Sequence, residues 1–308
     1  MKKVLIVNHK VKHCGVYQIG KRVFELARKS KKVSYFYAEV ETYSDYYRAL
    51  FEIDPAYVIY NYHNYTMPWL TPDILQKIKP EKHLILYHEK NNSVIQNCDK
   101  YIFLGVEGEP NPIIAAAGSI VLPRPLLEYS NGYKQNNEPT IGSFGFGFWD
   151  KGFHTLTQLI NDTLPGTTLN YHLPYSYYGD HSDKITKQVI FACKKIATKI
   201  KLNVTREFLD EDALLLFLAS NDINIFNYTD KDTDGVSSVI DYALSVRRPI
   251  AITNSIMFRH IKTDEITLEK NSIMDIYSKG ITPLEHLYTA WAPNRFIDEI
   301  DKIFLEGL

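Results

Sequence analysis

Short apolar runs alternate along this chain with longer stretches whose apolar residues recur every three to four positions. The runs at 4–7, 33–36, 57–60, 84–87 and 101–104 predict buried strands, each bounded by polar residues. Helical spacing marks 16–28, 43–51 and 71–78, the last opening on Thr71-Pro72. Such alternation predicts a parallel sheet covered on both faces. Between 105 and 140 the texture changes. Gly-Glu-Pro-Asn-Pro (108–112), Leu-Pro-Arg-Pro (122–125) and a polar stretch over 131–139 read as a boundary between domains.

The alternation then restarts. Strands are predicted at 140–144, 169–172, 204–207, 223–226 and 249–253, and helices at 153–164, 184–200, 212–218 and 236–246. A last helix, 294–304, carries Phe296, Ile297, Ile300, Ile303 and Phe304 on one stripe. The expected fold class is α/β, with two doubly wound Rossmann-like domains at 1–125 and 140–290. A linker at 126–139 joins them and a terminal segment, 291–308, follows. Ligands of such sheets bind beyond the carboxyl ends of the strands, so the loops there are the places to search.

Composition removes several classes of function. Thirty-five Lys+Arg against thirty-six Asp+Glu give a net charge of −1, so no basic field suggests nucleic acid. Cys14, Cys98 and Cys193 are far apart in the sequence, which excludes a disulfide scaffold and fits a reducing compartment. Ten histidines contain no HExxH, so a protease-type zinc site has no support. The apolar run at 4–7 is too short for a signal peptide, and no run approaches the ~18 residues of a membrane span. A cytoplasmic location is expected. Lys21, Arg22, Arg28, Lys29, Lys31 and Lys32 on and after the first helix form either a solvated face or a contact with anionic lipid at the membrane surface. Twenty-two tyrosines, fifteen phenylalanines and three tryptophans serve either packing or a ring-lined site for a sugar or nucleobase. Composition does not choose between them.

The candidate chemistry lies after the predicted strands. Gly235-Val236-Ser237-Ser238 opens the predicted helix 236–246. There a glycine admits close approach, the first amides of a helix lack partners, and two hydroxyls can cap the helix or meet phosphate oxygens. Gly142, Gly145 and Gly147 follow or end the strand at 140–144, and Lys151-Gly152 opens the next helix with a cation suited to phosphate. In the first half, Cys14-Gly15-Val16-Tyr17, His63-Asn64 and His88-Glu89 follow strands. His63 suits a general base or a hydrogen-bond donor. Two patterns fail on inspection. Gly15 to Arg22 resembles a P-loop but has Arg22 where the magnesium-binding hydroxyl belongs, and neither half has G-x-G-x-x-G after its first strand. Asp232 and Asp234 make a weak acidic pair in a polar loop.

Taken in order, these signals resemble a GT-B glycosyltransferase, most similar to the retaining family-four type. Gly15 to Gly20 resembles that family's glycine loop beneath the acceptor, His63 its histidine, and Lys151-Gly152 its "KG". Phe208-Leu209-Asp210 resembles the stretch near the nucleobase. The segment 235–253 resembles the donor loop and helix, with Asp241 where the second glutamate of an E-x7-E motif stands. The resemblance implies two Rossmann-like domains facing a cleft, with the terminal helix crossing back to the first. It implies a UDP- or GDP-type sugar as co-substrate, a glycan or lipid-linked acceptor, and neither cofactor nor metal.

Donor contacts are then expected from Gly145, Gly147, Lys151, Gly152, Phe208, Gly235, Val236, Ser237, Ser238 and Asp241. The acceptor side would comprise Gly15, Val16, Tyr17, His88 and Glu89, with His63, Lys151 and Asp234 acting on the reacting groups. Besides Asp241, the sequence departs from the family in two further places. Thr233 stands where the first glutamate belongs, and glycine and phenylalanine replace the arginine ahead of the Lys-Gly pair. The alternative reading is a non-catalytic relative that binds a nucleotide-sugar or glycan.

Overall fold

A computed structural model describes residues 1–77, 82–88, 96–106, 112–130, 132, 136, 138–176, 179–230 and 235–306. The chain forms two compact units. One comprises Met1–Pro125, Thr233–Val236 and Thr289–Leu308, the other Leu126–Asp232 and Ser237–Tyr288.

The first unit contains β1 (Lys3–Asn8), α1 (Gly15–Ala27), β2 (Ser34–Glu39), α2 (Tyr43–Ile53), β3 (Tyr57–Tyr62) and α3 (Pro72–Lys77). It continues with β4 (Lys82–Tyr87), β5 (Lys100–Leu104), α4 (Pro112–Ala117) and β6 (Ser119–Leu122). Its six strands are parallel in the order β2-β1-β3-β4-β5-β6. Val4 and Ile6 of β1 face Ile19 and Val23 of α1, whereas Leu5 and Val7 join Tyr46 and Tyr60 on the opposite face. Burial on both faces makes a strand apolar at consecutive positions, which is why these strands were legible. The terminal helix α11 (Pro293–Leu305) places Phe296, Ile300, Ile303 and Phe304 in the same core as Val4 and Ile6. Its fully buried Asp301 accepts hydrogen bonds from the hydroxyls of Tyr35 (3.0 Å) and Ser30 (2.6 Å).

The second unit contains β7 (Thr140–Phe144), α5 (Phe153–Thr163), β8 (Thr168–His172), α6 (Lys184–Ile196), β9 (Lys201–Thr205) and α7 (Glu211–Ala219). After these come β10 (Ile223–Phe226), α8 (Val239–Ser245), β11 (Ile250–Ile252), α9 (Ile273–Lys279) and α10 (Glu285–Ala290). The parallel order is β11-β10-β7-β8-β9. Each sheet therefore has a point where successive connections leave in opposite directions. In the first unit it lies between β1 and β3, in the second between β7 and β10.

Several predicted boundaries move. The stretch read as a boundary supplies α4 and β6, and β6 completes the first sheet against β5. The helix expected over 184–200 stops at Ile196 because the Asn161 side-chain carbonyl accepts the amides of Thr198 (2.9 Å) and Lys199 (2.8 Å). The chain turns there, so β9 starts at Lys201 rather than 204. Helix α8 begins at Val239, not 236, and has seven residues. Short helices α9 and α10 were not anticipated. As for the aromatic residues, Tyr46, Tyr60, Tyr101 and Tyr171 are fully buried. Tyr60 shares hydroxyl contacts with Tyr46 (2.5 Å) and His83 Nδ1 (2.9 Å).

Candidate functional site

At the β7/β10 switch of the second unit, the chain after β7 makes a 3-10 turn over Trp149–Lys151 and reaches α5 through Gly152. Gly152 has φ +64°, and a Cβ there would lie 1.8 Å from the Asn227 carbonyl oxygen, so only glycine fits. The loops following β7 and β10 are tied together along this approach. The Thr229 amide donates to the Asp150 carbonyl (2.9 Å), and Asn227 Nδ2 donates to the Gly152 carbonyl (3.3 Å) and to Thr155 Oγ1 (2.7 Å). This pairing sets the Lys151 ammonium over the Tyr228 ring, 3.9 Å from its centroid. At the start of α8, the amides of Ser238 and Val239 have no hydrogen-bond partner among the described residues. They are donors suited to an anion.

At the β1/β3 switch of the first unit, polar residues follow apolar strands. Buried Asn8 ends β1, and buried Asn61 lies near the end of β3. Asn61 Nδ2 donates to Asn8 Oδ1 and to the Val16 carbonyl, both at 2.7 Å. A carbonyl can only accept, so Asn61 Oδ1 is the acceptor facing His88 Nε2 at 2.6 Å. His88 therefore carries its proton on Nε2 and offers a lone pair at Nδ1.

His9, 1% exposed, is fixed in the complementary tautomer. Its Nδ1 accepts the Val11 amide at 3.1 Å, which leaves the proton on a buried Nε2 with no partner among the described residues. Burial, then the charge of His63, lowers His9 to about 4. Desolvation, then the charges of His63, Arg124 and His9, lowers His88 to about 3. Both imidazoles are neutral near pH 7. His63 Nδ1 accepts the Tyr65 amide at 3.3 Å, and its ring lies 5.5 Å from that of exposed Tyr65. Among the described residues no three His, Cys, Asp or Glu side chains gather as metal ligands.

The sequence matches no protein-family model and no curated protein. Solved structures do match over the full chain. Sucrose-phosphate synthase from Thermosynechococcus elongatus superposes with a TM-score of 0.73 at 9% identity, covering 99% of each chain. A glycosyltransferase from Rickettsia africae gives 0.66 at 11% identity, over 100% of this chain and 99% of that one. HepE from Anabaena, in complex with UDP and glucose, gives 0.65 at 11% identity over 100% of both chains.

The fold is GT-B.

On this GT-B framework the residues expected at the donor site have different surroundings. Lys151 and Gly152 lie at the switch point, together with Gly145, whose amide donates to the His172 carbonyl at 3.1 Å. Ser238 caps α8 without a side-chain hydrogen bond and keeps its amide available. Others are engaged by the fold itself. A Cβ on Gly147 would come within 2.4 Å of Thr186 Cγ2, so that glycine makes room for α6. The Ser237 amide donates to the Met257 carbonyl (2.9 Å) and its hydroxyl to the Tyr228 hydroxyl (3.3 Å), so neither is held out for phosphate as expected. Asp241 is fully buried within α8, closed to a ribose at its surface. Gly235 is buried, Val236 partly so, and Phe208 is half-exposed in the loop before α7. Asp234 lies outside the described residues.

In the first unit His63 and His88 join one cluster. Tyr17 is buried, and its hydroxyl donates to Glu39 at 2.5 Å. Gly15 is exposed at the start of α1, and Val16 gives its carbonyl to Asn61. Glu89 lies outside the described residues. The basic face has largely internal partners. Arg22 is 2% exposed, Lys21 and Arg28 pair with Glu25, and Lys32 pairs with Asp298. No helix among the described residues is long and apolar enough to cross a membrane.

Sequence reasoning missed His9, Asn8, Asn61, Tyr228 and Met257. The first three were readable by the rule that found His63, since each is polar at the carboxyl end of an apolar strand. Tyr228 and Met257 carry no such signal.

Proposed function

We propose that this chain transfers a glycosyl group from a UDP- or GDP-sugar to a hydroxyl of a glycan or lipid-linked glycan, without a metal. The observation that carries the reading is Lys151, its ammonium fixed beside Tyr228 at the β7/β10 switch of the second unit. The GT-B fold and the UDP and glucose held by HepE support it. In the transfer, the bond from the anomeric carbon to the diphosphate oxygen breaks and the acceptor oxygen bonds to that carbon. Charge grows on the departing diphosphate, which Lys151 and the Ser238 and Val239 amides stabilise. The hydroxyl proton leaves with the departing diphosphate, so each bond formed is matched by one broken.

The test is calorimetry with UDP, GDP and their sugars, followed by a turnover assay with and without EDTA. Saturating ligand raises the unfolding midpoint in proportion to its binding. Lys151→Met should weaken nucleotide binding roughly tenfold or more, the scale of a charge-assisted contact to phosphate. Unaltered affinity in that variant sinks the assignment of Lys151. Thr233 at the first acidic position and the enclosure of Asp241 favour a second reading, a binding protein without catalysis. Nucleotide-sugar binding with neither donor hydrolysis nor transfer selects it.

A further inference from the structure

Four residues from separate stretches of the second unit close into a ring of contacts. The Lys151 ammonium lies over the Tyr228 ring, 3.9 Å from its centroid. The Ser237 hydroxyl donates to the Tyr228 hydroxyl across 3.3 Å. The Ser237 amide donates to the Met257 carbonyl at 2.9 Å, and the Met257 sulfur returns to Lys151 Nζ at 4.0 Å. Lys151 follows β7, Tyr228 follows β10, Met257 follows β11, and Ser237 immediately precedes Ser238, the cap of α8.

We propose that Tyr228 is a positioning residue for Lys151: its ring holds the ammonium, and its hydroxyl, held by Ser237, fixes the ring, so that the cation is set in place for one diphosphate. The identity of the ligand rests on the glycosyl-transfer reading above; the geometry does not. A lysine on its four-carbon stem carries rotamer entropy that an anion must overcome to use it. A ring face under the ammonium removes part of that cost before the ligand arrives.

The choice of tyrosine over phenylalanine also has a reason. Tyr228 is 3% exposed, and its buried hydroxyl needs a partner, which Ser237 supplies. Burial raises that phenol well above its ordinary value, so it remains a neutral hydroxyl. The ring packs 4.7 Å from Phe258, and the Thr253 hydroxyl donates to the Tyr228 carbonyl at 2.6 Å. Tyr228 is thereby held from behind while it holds Lys151 in front.

Two measurements test this on the full chain. In the NMR spectrum of the free protein, the Lys151 ε-methylene should be shifted upfield by the ring beneath it, with Lys151→Met supplying the assignment. Tyr228→Phe should keep the shift and Tyr228→Leu lose it. An unshifted methylene in the unaltered protein overturns the proposal without any ligand or folded variant being needed. In calorimetry with UDP and GDP, Tyr228→Leu and Lys151→Met should each weaken binding roughly tenfold. The double variant should bind no more weakly than Lys151→Met alone, and Tyr228→Phe should lose no more than about threefold. Losses that add in the double variant overturn the proposal. If the unaltered protein binds neither nucleotide, the glycosyl-transfer reading falls and the methylene shift still decides the role of Tyr228.

Discussion

At the scale of single residues, the site in the second unit depends on one position that tolerates no side chain. Gly152 adopts a left-handed conformation and lies against the Asn227 carbonyl, and this contact brings Lys151 beside Tyr228. Gly152→Ala meets both a backbone penalty and a collision at 1.8 Å. It should lower stability by about 3 kcal/mol or more, read as a fall in the urea midpoint, and weaken nucleotide binding with it. A midpoint shift worth less than about 0.5 kcal/mol would show that the loop relaxes freely, and the argument for a fixed Lys151 would fail. Gly20 makes a parallel case in the first unit, where a Cβ would approach Asn61 Nδ2 to 2.3 Å. The asparagine pair that sets the His88 tautomer needs that glycine above it. Of these glycines only Gly147 read in the sequence as space for a ligand; in the structure it makes room for a neighbouring helix, Gly152 makes a turn, and Gly20 admits a buried amide network.

At the scale of elements, legibility followed burial. Strands β1, β3, β4 and β7 read directly because parallel strands covered on both faces are continuous apolar runs. The terminal helix read directly because Phe296, Ile300 and Phe304 keep a helical period into one core. Strand β9 was misplaced because it is an edge strand with Lys201, Asn203 and Thr205 exposed, a composition that also suits the end of a helix. Its true start is set by a tertiary contact, the Asn161 side chain on the Thr198 and Lys199 amides, which no local pattern reveals. Asn161→Leu should therefore cost about 1–3 kcal/mol and expose those two amides to hydrogen exchange, while the amides of β8 stay protected. Unchanged protection at 198 and 199 would mean that another contact ends α6. The strand-end rule found His63 and His88 because a polar side chain after an apolar strand stands out, whereas Lys151 read from its place beside Gly152 at the start of a helix. Tyr228 escaped it because a buried tyrosine looks like core, and Asp241 was placed at the site although its helix encloses it.

For the molecule as a whole, the two sheets repeat one arrangement, with candidate chemistry at the strand pair where the winding reverses. The histidines kept neutral by burial give this arrangement a signature in pH. His9 and His172 are lowered to about 4 and His88 to about 3, in each case chiefly by desolvation. The unfolded chain takes up protons at these imidazoles near their ordinary value of 6.5, whereas the folded chain resists until pH falls to about 4. Unfolding therefore binds protons throughout that window, and stability present above pH 6.5 is lost as pH falls toward 4. For His9 alone the shift corresponds to about 3 kcal/mol. Urea midpoints at steps from pH 7.5 to 5 stay above the range where most carboxylates titrate, so the slope there reports the imidazoles. His9→Gln should flatten that slope in the first unit's transition and leave the stability at pH 7.5 closer to that at pH 5. An equal slope in the variant would mean that His9 is protonated in the folded protein, and burial would then not hold its imidazole in the neutral tautomer that accepts the Val11 amide.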